Sequence, residues 1–132
     1  MVFRKIVMAV VALAVVTAVS AGAQAAQFDR CSIGGKYLVR SVMPYSTYED
    51  AGYTAFSEFR GADVFVVAQP GLTREWLQRV LTYQISTGEC DFGVHDVSVS
   101  VLSAGGGFAV RLMGRDEKAA GVILQHAQLL VK

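Results

Sequence analysis

Apolar residues fall along this chain in three patterns, and each predicts a different element. Ile6 to Val16 is an unbroken apolar run of 11 residues, extending to Val19 with only Thr17 inside it. Val97, Val99 and Val101 alternate with Ser98 and Ser100, and Phe108, Val110 and Leu112 alternate with Ala109, Arg111 and Met113. A period of two is that of a strand with one buried face. Ala104-Gly105-Gly106-Gly107 separates the two runs and supplies a turn, because glycine accepts positive φ without steric cost. Residues 97–113 therefore read as a β-hairpin. Trp76, Leu77, Val80, Leu81 and Ile85 recur instead on one helical face. Thr73 stands at the cap position and Glu75 in the positive first turn. Leu72 and Leu77 have the spacing of a hydrophobic staple, and Gly88 is a natural stop. A second helix starts at Asp116, with Glu117 in its first turn and a stripe of Ala120, Ile123, Leu124, Ala127, Leu130 and Val131. Lys118, Gly121, Gln125, Gln128 and Lys132 fall on its wet side.

Ala62 to Ala68 is β-rich and mostly apolar, which predicts a strand covered on both faces. The order from there is strand, helix, strand, strand, helix. The two helices and the hairpin strands each have a single apolar face, so the helices must pack on the sheet. Residues 62–132 are thus expected to form an α+β core, a small two-layer βαββα sandwich. It resembles the ferredoxin-like fold without the closing strand, a likeness of architecture that fixes no function. Residues 26–61 form an N-terminal segment with weaker patterning. Lys36 to Val42 reads as a short strand. Ser46-Thr47-Tyr48-Glu49 has capping-box spacing and predicts a short helix over Tyr48 to Phe59, weakened by Gly52 and Thr54.

The first 25 residues read as an address. A basic start with Arg4 and Lys5 precedes the apolar run, and small residues follow, Ser20 to Ala26. Positive, apolar, then small is the layout of a secretory signal peptide, with cleavage expected after Ala25 or Ala23. An uncleaved membrane anchor would want about 20 consecutive apolar residues. The expected destination is periplasmic or secreted, with no stable membrane insertion after cleavage.

Composition changes the picture only in places. The chain is 53% apolar and 17% charged, below the roughly 25% charged residues of ordinary soluble proteins. The excess apolar content sits in the leader. Beyond residue 25, 10 of the 12 Lys+Arg remain against 11 Asp+Glu. That balance gives no electrostatic reason to expect a nucleic-acid or anionic-membrane partner. Collagen-like, coiled-coil and disordered classes are excluded by composition. Export also gives the two cysteines a meaning. Cys31 and Cys90 are expected to form one disulfide that closes a 60-residue loop. No Cys-x-x-Cys supports a redox role.

Candidate chemistry is sparse. Glu89-Cys90-Asp91-Phe92-Gly93-Val94-His95-Asp96 gathers acids, an imidazole and a thiol. His95 with Asp91 or Asp96, joined by His126, would be the minimum for a metal or small ligand. The competing reading is a helix-to-strand connection in which Gly93 turns the chain and the acids are solvated. His126 sits on the border of the last helix's apolar stripe, and no sequence neighbour supplies a catalytic partner. Tyr37, Tyr45, Tyr48, Tyr53, Phe56 and Phe59 are six of the 13 aromatic residues. Interleaved with Ser, Thr and Gly, they suit either a contact surface, with Tyr45, Tyr48 and Tyr53 as its centre, or a cover for the sheet rim. The chain has no G-x-S-x-G, H-E-x-x-H, phosphate loop or dinucleotide fingerprint. The expectation is an exported, non-enzymatic binding protein with no cofactor, whose partner is a protein or envelope component. The alternative is an exported metal or small-ligand binder built on His95, His126 and nearby carboxylates.

Overall fold

Residues 39–67 fold back on themselves as one long hairpin, and the rest of the domain is laid against its base. A computed structural model describes residues 30–52 and 54–131. Its elements are α1 (Ser32–Gly35), β1 (Val39–Ala51), β2 (Thr54–Val67), α2 (Arg74–Thr87), β3 (Ser98–Ala104), β4 (Gly107–Met113) and α3 (Glu117–Gln128). The strands form one sheet in the order β1-β2-β4-β3, with every neighbouring pair antiparallel. The expected α+β fold and βαββα order are present as β2-α2-β3-β4-α3. The strand missing from the end of that series is replaced by one from its beginning, because β1 pairs with the outer side of β2.

Helix α2 lies over β3, and α3 lies over β2. Ala62, Val64, Val66, Val101, Val110 and Leu112 point from the sheet into the core. Leu77 and Leu81 of α2 meet them, as do Ile123 and Ala127 of α3. The helix ends form as their residues dictate. Thr73 accepts a hydrogen bond from the Trp76 N–H, and Asp116 from the Ala119 N–H. Gly88 closes α2 in the left-handed region at φ 83°. Two stripe residues depart from expectation. Trp76 is 49% exposed, and Val131 lies beyond the end of α3 and is exposed.

The strand at 62–68 is covered on one face only. Asp63, Phe65 and Val67 face away from the helices and are partly open to solvent. The larger correction concerns Tyr48 to Phe59, which is not a helix. It is the distal part of β1 and β2, turned near Gly52 at φ 72°. Tyr48, Phe56 and Phe59 favour extended backbone, and a complete ladder outweighs one capping-box match. β2 also runs through residue 61, where sequence patterning alone places a segment boundary.

The N-terminal stretch is tied to the helix layer. Cys31 and Cys90 form the expected disulfide, with a Cα–Cα distance of 4.9 Å. Gln84 of α2 reinforces it: its Oε1 accepts from the Ser32 N–H at 2.9 Å, and its Nε2 donates to the Arg30 carbonyl at 3.2 Å. Ile33 and Tyr37 are buried beside this clamp. The interior of α1 leaves helical dihedrals, with Gly34 at φ 84°, so this element works as a turn.

Gln78 closes the rim at β3. Its Nε2 donates to the Val99 carbonyl at 2.9 Å, and its Oε1 accepts from the Val101 N–H at 2.7 Å. One side chain thereby does what the backbone of a fifth strand would do. Gln78→Ala should cost about 1–2 kcal/mol, because one donor and one acceptor lose their partners. Urea denaturation would read the change, and a loss under about 0.5 kcal/mol would mean that water replaces the amide fully.

Candidate interaction surface

The register changes where the long hairpin leaves the sheet. Tyr45 pairs with Gly61, but the next pair is Ser46 with Phe59, which leaves Arg60 as an extra residue. Such a bulge bends and twists a strand. Gly61 is required here, since a Cβ would collide with the Leu112 carbonyl across the sheet. β4 pairs with β2 only as far as Met113 opposite Gly61. The base of the hairpin is then pinned. The Gly114 N–H donates to the Arg60 carbonyl at 2.8 Å, and Arg60 Nη1 donates to the Arg115 carbonyl at 3.2 Å. Arg60 Nη1 also lies 3.5 Å from Glu58. Beyond this point six residue pairs, Ser46 with Phe59 through Ala51 with Thr54, form a two-stranded ribbon. At about 3.4 Å per residue it is about 20 Å long.

This ribbon carries the candidate site. Tyr48 is 70% exposed and Phe56 58% exposed. Large rings left this open cost solvation free energy unless a partner covers them. Phe56 and Glu58, two residues apart on β2, share one face, and the register sets Glu49 opposite Phe56.

The three tyrosines singled out from sequence do not form one surface. Tyr48 is on the ribbon. Tyr45 is below the bulge, on the sheet face away from the helices, where its ring stacks on the Arg111 guanidinium at 3.9 Å. Arg111 Nε and Nη2 donate to the two Asp63 carboxylate oxygens at 3.0 and 3.2 Å. The hydrogen bond to Asp63 holds the Arg111 guanidinium above its ordinary value. Tyr45 therefore belongs to a stacked ion pair and is half-buried. Tyr53 lies outside the described residues, as does the leader at 1–25. Phe56 was absent from the tyrosine set drawn from sequence. Phe56 and Phe59 stand three apart with Ser57 and Glu58 between them, which is the spacing of a helix face, so the local pattern carries no strand signal at Phe56.

The acid and imidazole cluster is also taken apart. Asp91 Oδ1 accepts from the Gly93 N–H at 2.8 Å, an Asx turn in the connection between α2 and β3. Asp96, with φ 60°, pairs with Arg115 at 2.7 Å. His126 Nδ1 donates to the Val122 carbonyl one turn back at 2.8 Å, and its ring packs on Gly93. His95 is exposed on the connecting loop. Among the described residues no group of three His, Cys, Asp or Glu side chains is placed to hold a metal ion. No helix among them is long and apolar enough to cross a membrane.

Comparison with protein-family models, with curated proteins and with solved structures found no match.

Proposed function

We propose that this is an exported, non-enzymatic binding protein that engages a protein or envelope component through the ribbon at 46–59. The observation that carries the reading is the exposure of Tyr48 and Phe56 on a hairpin projecting past the end of β4. Rigid aromatic rings lose little conformational entropy on contact and supply much of the buried area at recognition surfaces. The Cys31–Cys90 disulfide supports the export half of the reading, because such bonds persist in oxidising compartments. The leader predicted over residues 1–25 supports it too. Periplasmic or secreted is the location we propose on those grounds.

The double variant Tyr48→Ser/Phe56→Ser should keep its melting temperature within about 3 °C, as exposed substitutions do. Immobilised in oxidised form, it should fail to retain proteins that the unaltered protein captures from a cell-envelope extract. Equal retention by both would remove the ribbon from the binding surface. A fall of more than about 10 °C would mean that the rings support the fold. Intact mass of the exported protein tests the location: the chain should lack the leader and two hydrogens.

A further inference from the structure

The ribbon's inner edge, its acidity and its exposed rings together narrow the partner. We propose that the ribbon takes up an extended segment of another protein bearing lysine or arginine, which adds as a strand along β2 beyond Gly61. This deepens the binding reading above and rests on it.

Three observations converge. First, β4 stops at Met113 opposite Gly61, so among the described residues no strand pairs with that side of β2 from Phe56 to Phe59. An unpaired strand edge is a template for backbone hydrogen bonding by an incoming chain. The sheet's two outer rims are less open to one. Gln78 occupies that of β3. That of β1 carries Pro44, which has no N–H, and is broken by an extra residue, Arg40, at the register shift between Val39 and Ser41.

Second, residues 46–59 contain Glu49, Asp50 and Glu58 and no lysine or arginine. The segment's formal charge is −3, whereas the whole chain carries +1. Acidic residues in excess along the ribbon repel a second copy of it, a common guard against self-pairing, although Glu58, the one of the three on β2, is ion-paired with Arg60 at 3.5 Å. They attract a basic strand for the same Coulombic reason. Third, Phe56 is exposed on the same face as Glu58 and can meet a cation there, while Tyr48 is exposed on the opposite face. The molecule already uses that contact once, where Arg111 lies on Tyr45 at 3.9 Å.

The test titrates the oxidised protein into a fluorescent Lys-Val repeat peptide of about ten residues, the length of a long strand. A Glu-Val repeat of equal length is the control. The Lys-Val peptide should bind saturably, at least about tenfold tighter than the control, and weaken about tenfold between roughly 0.05 and 0.3 M salt. Glu49→Lys/Glu58→Lys should abolish that preference. If this variant does not fold, Phe56→Ser should weaken binding at least about threefold. Hydrogen exchange should slow at the amides of residues 56–59 in the complex. Equal binding of the two peptides, or a charge-reversed variant that still prefers Lys-Val, overturns the proposal. So does protection confined to other strands, or a dimer of the protein alone at low salt. If the peptide fails while Tyr48→Ser/Phe56→Ser still abolishes envelope capture, the ribbon remains the binding element and the basic-strand chemistry is wrong.

Discussion

Phe92→Ala should destabilise the oxidised protein by about 3–5 kcal/mol, the largest effect expected from any single truncation among the described residues. Phe92 belongs to the connection between α2 and β3, where a solvated side chain is the ordinary expectation. It is nevertheless only 1% exposed and part of the core. The neighbouring geometry explains how. Cys90 is fixed to Cys31, Asp91 turns the backbone onto the Gly93 N–H, and Gly93 takes a φ of 83°. The ring is thereby driven inward between two anchored neighbours. Removing it leaves a cavity whose walls are held by a covalent bond and cannot collapse easily. A domain of this size should lose on the order of 15 °C or more in melting temperature. A loss below about 1 kcal/mol would show that the ring is not part of the core.

Cys31→Ser/Cys90→Ser should cost about 4 kcal/mol, from the chain entropy released when a 60-residue loop is opened. The whole stability of a small domain is only about 5–15 kcal/mol, so the variant should be close to unfolding at 37 °C. Both sulfurs are buried, and the bond fastens the stretch that carries Ile33 and Tyr37 to the end of α2. Equilibrium denaturation with and without reductant checks the figure. The same loss on reduction and on double substitution is expected, and unchanged midpoints in both would mean that Gln84 and the buried side chains suffice. Phe92 and Cys90 are two residues apart, so the two costs should not add.

What the sequence made legible follows from how local each signal is. Thr73, Asp116 and Gly88 act within one turn of backbone, and all three cap as their chemistry predicts. The alternation in 97–113 needs only a partner strand next in sequence, and the Gly105-Gly106 turn supplies it. The ribbon was not legible, because a short window containing Ser46 and Glu49 favours a helix start while the register that overrides it is set by distant pairs such as Tyr45 with Gly61. Phe92 looked like one residue in a polar loop, since its burial depends on a disulfide partner 59 positions from Cys90. The candidate site was legible in composition, as a concentration of rings, but not in shape. Tyr45 and Tyr48 are three residues apart, yet the bulge at Arg60 puts one in a stacked ion pair and the other in solvent.

The arrival of β1 from the front of the chain has a practical result for protein engineering. The closing-strand seat beside β2 is filled by β1 before the polypeptide reaches α3, so a reporter fused behind Lys132 would find that seat taken. Cargo attached there must hang outside the layers, whereas cargo spliced between Cys31 and Val39 would displace the buried Ile33 and Tyr37.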